Sequence, residues 1–211
     1  MSAWQKTIAS AATHVAKNDP ILAPIIKSAG LPTFSPHNNY YGSLVDSIIS
    51  QQLSVKAAAS IEQRFRQLFQ SDDFPPPEQI LTKDIEQLRS VGLSRAKALY
   101  IRDLAQHITQ GNLKLNTLSK LTNEEIVQEL TAVKGIGEWT AHMFLIFCVG
   151  RLDVLPTGDL GIRNGVRNLY GFGNTVTPQQ VVETSEKYHW HPYESVASWY
   201  LWHSLDNKPS I

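Results

Sequence analysis

Two glycines flanking one isoleucine, Gly135-Ile136-Gly137, stand between two stretches of helical character, and this forces a tight corner in the chain. The stretches Thr122–Thr131 and Glu138–Val149 both carry apolar residues at spacings of three and four. Glycine accepts backbone angles closed to other residues, so Gly135 and Gly137 allow the corner and let a ligand approach the main chain. The first N–H groups of the following helix lack intrahelical partners and form a ready site for an anion such as phosphate. Ile136 would pin the corner into the core, and Lys134 would add positive charge. A Gly-x-Gly alone fits a plain helix connection equally well. The longer run, an apolar helix, Gly-Ile-Gly and then a helix beginning with Thr140-Ala141, points instead to a grip on a nucleic-acid backbone that does not read bases.

The rest of the chain is also helical in pattern. Tyr41–Gln51, Val55–Phe69, Thr82–Val91, Ser94–Gln110 and Pro178–Lys187 repeat apolar residues at three and four. Thr82, Ser94 and Thr122 sit where helix caps are expected. Alternating strand-like runs are nearly absent, so an all-α chain is predicted. Breaks fall at Asn38-Asn39, at Phe74-Pro75-Pro76-Pro77 and across Gly150–Gly158.

Charge restricts how such a chain could hold DNA. Lys plus Arg equal Asp plus Glu at 19 each, so binding must come from a local patch rather than a broad basic face. The longest apolar run, Met143–Val149, is far shorter than the roughly 20 residues of a membrane span. The N-terminal segment lacks the apolar centre of a signal peptide, and an intracellular address is expected, nuclear in a eukaryote and cytoplasmic otherwise. The single cysteine, Cys148, excludes an internal disulfide and a cysteine-ligated cluster, and it reads as a small buried hydrophobe.

Downstream of the corner, Asp159 follows Gly158 and precedes the helical run Leu160–Leu169. It reads as a helix N-cap, and a cap can also hold a reactive carboxylate in one place. The stretch from Gly137 to Asp159 accommodates a helix out and a loop back. Ser54 and Lys56, at the start of another helix, suit either a phosphate contact or a cap beside a solvated lysine. Trp190, Trp199 and Trp202 read as core. His189 and His191 have no metal-ligand spacing to a further partner, and no metal is expected.

Together VKGIGEWTA and DVLPTGDLGIRNG resemble the helix-hairpin-helix DNA glycosylase superfamily, in its alkylpurine branch (3-methyladenine DNA glycosylase II-like). IISQQLSVKAAASI, FPPPEQI, VGLSRAKALYIRDLA and WHPYESVASWYLWH are similar to the same branch in its order, so the likeness runs over roughly residues 40 to 205. The resemblance implies two helical lobes with a DNA and base cleft between them. Residues 36–135 would carry the wedge loop and first hairpin helix, and 1–35 with 136–211 would carry the catalytic acid. It implies that Asp159 is that acid, serving the hydrolysis of the bond between deoxyribose and a cationic alkylated purine that has been flipped from the stack.

By the same likeness, Lys134, Gly135, Gly137 and Thr140 contact DNA. Gln52 or Leu53 would fill the gap left by the flipped nucleotide, unless the segment is a simple interhelix loop. Relatives that also cut the strand carry a lysine where this chain has Trp139, which implies a monofunctional enzyme leaving an abasic site. Trp139, Met143, Gly161 and Tyr193 would line the base pocket, Trp139 stacking on the base if it is not core. Met143 and Gly161 stand where some relatives carry larger groups, implying an open pocket. Asp46 replaces a common arginine, implying negative charge near the DNA face. No cofactor is expected beyond a weak monovalent cation on hairpin carbonyls. The expected partner is duplex DNA with alkylated or abasic sites, bound by a monomer without any membrane. A glycosylase-like binder of damaged DNA that releases no base is the alternative.

Overall fold

The computed structural model describes residues 1–205, and among these the regular structure is entirely helical, as expected. The chain divides after Pro36 and again after Phe144, further along than the 135/136 division expected from sequence. One unit takes residues 1–36 with 145–205, and the other takes His37–Phe144.

The first unit opens with α1 (Ala3–Asn18) and α2 (Ala23–Ala29). Ser2 and Gln5 form a reciprocal capping box at the start of α1, satisfying two otherwise orphaned donors. Ile8, Ala11, Ala12 and Val15 make its buried stripe. In the second unit follow α3 (Tyr40–Ser50), α4 (Val55–Leu68), α5 (Pro77–Leu81), α6 (Ile85–Arg89) and α7 (Arg95–Thr109). A 3₁₀ turn (Leu115–Lys120) leads to α8 (Asn123–Thr131) and α9 (Glu138–Phe144). Helix α3 packs against α4, α7 and α9. Its Leu44, Val45, Ile48 and Ile49 are fully buried, as are Phe65 of α4 and Ile101 and Leu104 of α7. Each such side chain contributes roughly 1.5–3 kcal/mol by leaving water. Thr82 does not open a helix as the sequence suggests. It ends α5, and Asp84 caps α6 in a box with Gln87, because the acid accepts the exposed N–H of the first turn.

The expected helix Glu138–Val149 changes character at the unit boundary. Its α-helical turns end at Phe144, and Leu145–Val149 winds as a π-helix that closes at Gly150, whose φ is 80°. Back in the first unit lie α10 (Leu160–Leu169), α11 (Pro178–Lys187) and α12 (Glu194–His203). Every residue of α12 from Glu194 to Trp202 is buried, because α1, α2 and α10 all pack on it. Cys148 is buried and reduced, as read from its apolar run. Asp19 is a fully buried carboxylate of this unit. It accepts from Ile21 N, Leu22 N, Trp190 Nε1 and the Tyr170 hydroxyl, so its charge is fully hydrogen-bonded.

Candidate nucleic-acid interface and candidate catalytic carboxylate

The hairpin is held from below. Gly135 has φ 85°, and a Cβ placed on it would stand 2.2 Å from Cδ2 of the Tyr100 ring, so only glycine fits there. Its carbonyl accepts from Gln51 Nε2 at 2.8 Å. The Lys134 N–H donates to Asp103 Oδ2 at 2.8 Å, and Ile136 is 4% exposed, pinning the corner as expected. The Lys134 ammonium lies 3.6 Å from Asp103 Oδ1 yet remains 77% exposed, which makes it a weak pair.

Gly137 differs from its neighbour. Its φ is not positive, and a Cβ there would meet nothing within 4 Å. Backbone strain therefore does not demand this glycine, contrary to the expectation for both positions. What the glycine gives is an uncovered main chain beside Glu138 at the start of α9. The Val133 carbonyl accepts from Ile136 N and the Gly135 carbonyl from Gln51 Nε2, which fixes the direction of both.

The segment expected to act as a wedge belongs to the same unit. Gln52 is exposed with φ 57°, a left-handed conformation unusual for a side chain of this size, and Leu53 is also exposed. Ser54 caps α4 by accepting from Ala57 N at 3.3 Å, and Lys56 is exposed on its first turn. Sequence reasoning missed Lys97. Its ammonium donates to the carbonyls of Ile49 at 2.8 Å and Gln51 at 2.6 Å, closing the C-terminal end of α3, and its burial lowers its pKa. The Gln51–Leu53 loop and the hairpin are thus wired together through Lys97, Gln51 and Gly135.

Helix α9 turns Thr140, Ala141, Met143 and Phe144 inward. Thr140, expected to reach DNA, is 8% exposed, and Met143 is 5% exposed and packs as core. Trp139 lies on the other face and is 51% exposed, which removes the reading of it as a core tryptophan. Asp46 is half-buried. Burial first, then Glu62, raises its pKa, and Arg66 lowers it, so its charge is engaged with α4 instead of standing on an open face.

Within the first unit, Asp159 is the N-cap of α10, as its position suggested. Its Oδ1 accepts from Ile162 N at 2.7 Å and from Trp202 Nε1 at 2.8 Å. Gly161 lies against this pair: a Cβ there would sit 2.8 Å from Trp202 Cδ1 and 3.0 Å from Asp159 Oδ1. The space that Gly161 was expected to leave open is therefore held by the Trp202 indole. Tyr193 precedes α12 and packs edge-on against His14, with ring centres 5.1 Å apart. Trp190 and Trp199 are core, as read. Trp202 is buried too, but its N–H has a task that sequence alone did not reveal.

An all-helical chain with a glycine corner and a capped acid downstream defines a DNA-repair class. Residues 45–189 match the HhH-GPD superfamily base excision DNA repair protein family, and the chain belongs to that family. Its enzyme class is DNA glycosylase. DNA-3-methyladenine glycosylase 1 of Schizosaccharomyces pombe is 39% identical over 163 residues, covering 77% of this chain and 71% of that protein. The crystal structure of a DNA-3-methyladenine glycosidase from Bacillus halodurans superimposes with a TM-score of 0.83 at 38% identity, covering 92% of this chain and 88% of that one. The S. pombe 3-methyladenine DNA glycosylase in complex with abasic DNA gives a TM-score of 0.77 at 33% identity, covering 96% and 99%.

Proposed function

We propose that this chain is a monofunctional glycosylase that hydrolyses the N-glycosidic bond of alkylated purines in duplex DNA and leaves an abasic site. It acts as a monomer, in the nucleus of a eukaryote or the cytoplasm of a bacterium. The observation that carries this reading is the Asp159 carboxylate, fixed at the start of α10 in a chain similar to enzymes named for 3-methyladenine.

The chemistry suits one acid. A 3-methyladenine or 7-methylguanine base carries a positive charge, so it departs with the bonding electron pair and becomes neutral without a strong general acid. The deoxyribose left behind has oxocarbenium character, which a nearby carboxylate stabilises. Water then adds at the sugar carbon and loses its proton to the carboxylate or to solvent. Lys134, Gly135 and Gly137 hold the backbone, with Ser54 and Lys56 as further phosphate contacts. Gln52 or Leu53 fills the space of the flipped nucleotide, and Trp139, exposed as it is, stacks on a cationic base. Trp139 replaces a strand-cutting lysine, which leaves the enzyme without an amine to form a Schiff base there.

Base release from methylated duplex DNA by the wild type and by Asp159→Asn tests this. Release that Asp159→Asn abolishes supports it. Tight abasic-site binding by both proteins, with no base released from any substrate, would establish the binding-only alternative.

A further inference from the structure

We propose that Trp202 is a positioning residue for Asp159, and that Gly161 is the residue that lets it serve as one. This deepens the reading above and rests on Asp159 acting at the sugar. An N-cap bond holds a carboxylate by one oxygen and leaves its plane free to swing. Here a second donor, from a different helix, reaches the same oxygen: Ile162 N at 2.7 Å from α10 and Trp202 Nε1 at 2.8 Å from α12. Two donors converging on Oδ1 fix the plane of the group as well as its place.

The indole is itself immobilised. Trp202 is 3% exposed and lies against the Phe147 ring, with centres 6.0 Å apart and planes inclined by 32°. An indole N–H can only donate, so it holds the carboxylate oxygen and takes no proton from it. Gly161 is the counterpart. A methyl group at this position would stand 3.0 Å from both Trp202 Nε1 and Asp159 Oδ1, and 2.8 Å from Trp202 Cδ1, prising the two apart. In this chain the bond between the tryptophan and the acid therefore depends on the small residue at 161.

The test replaces Trp202 by β-(3-benzothienyl)alanine, which keeps the ring shape but has sulfur in place of N–H. Gly161→Ala and Asp159→Asn are examined beside it. Single-turnover base release from methylated duplex, affinity for abasic duplex and thermal stability are measured for each. The isostere should keep stability and abasic-DNA affinity within about 2-fold while release slows about 10- to 100-fold, the size expected of a misplaced catalytic group. Gly161→Ala should slow release to a similar degree, with a fall in thermal stability as the buried indole shifts. An isostere that releases base at the wild-type rate would reduce Trp202 to packing. Asp159→Asn releasing base as fast as the wild type would instead remove the catalytic reading beneath it. The contact itself is read without turnover from the Trp202 indole N–H resonance, which should move in both Asp159→Asn and Gly161→Ala. A resonance unmoved in both overturns the proposal.

Discussion

Gln51 donates its side-chain amide to the Gly135 carbonyl at 2.8 Å, joining positions 84 residues apart in sequence. Through this bond the loop that carries Gln52 and the glycine corner hold a common geometry. The Gln51 carbonyl is in turn taken by Lys97. The first predictions follow from this chain of contacts.

Lys97→Met keeps the length of the side chain and removes two charge-assisted bonds, which lowers stability by about 2 kcal/mol. Because the loop loses its anchor, affinity for abasic duplex also falls. Urea unfolding and a binding titration check both, and wild-type values in the two would remove Lys97 from this role.

Gly135→Ala should destabilise the fold by about 3 kcal/mol, through a left-handed backbone and a clash with Tyr100. Gly135→Ala combined with Tyr100→Ala relieves only the clash. The double variant should therefore lose less than the sum of the two single losses in a denaturation cycle.

Gly137→Asp should leave stability within about 0.5 kcal/mol, since the position opens onto free space. The added charge repels phosphate, so affinity for all duplexes falls together, whatever their sequence or damage. A folded variant with undiminished affinity would separate the hairpin from DNA binding.

Gln52→Gly separates fold from function at the wedge. Glycine relieves a φ of 57° and should stabilise the protein by about 1 kcal/mol, while affinity for abasic duplex falls more than affinity for intact duplex. Equal losses on the two duplexes would end the wedge assignment.

His142 gives a pH dependence. Burial lowers its pKa from 6.5, outweighing the opposing pull of Glu138, so the folded chain favours the neutral ring. The unfolded chain takes up a proton first as pH falls. Stability from this residue is therefore whole above pH 6.5 and declines below it, until the folded ring also titrates. His142→Gln should flatten the fall in urea midpoint between about pH 7.5 and 5. A fall as steep as that of the wild type would exclude His142 as its source.

Some of this architecture was legible in the residues and some was not, for physical reasons. Helices with one buried stripe, such as α3 and α7, announce themselves by periodicity. Helix α12 does not, because burial on every side removes the polar face that would mark it. The glycine corner and the capping role of Asp159 are local chemistry and could be read directly. Trp202 could not be, since a buried tryptophan reads as core until the partner of its N–H is known. Lys97 was hidden for the same reason: its acceptors are backbone carbonyls at the end of α3, and carbonyls carry no mark in the sequence. Asp46 misled because its neighbours lie one helix away on α4.

The Asp19 carboxylate ties together groups from opposite ends of the polypeptide. Tyr170 and Trp190 reach it from far downstream, while α1 and α2 both pack on α12. The unit His37–Phe144 is contiguous in sequence, so all of its contacts are available before the last third of the chain is synthesised. The opening helices must wait for the last ones. A nascent chain halted shortly after Phe144 would hold the hairpin and lack Asp159, so the proposed grip on the backbone would be made before the proposed catalytic acid.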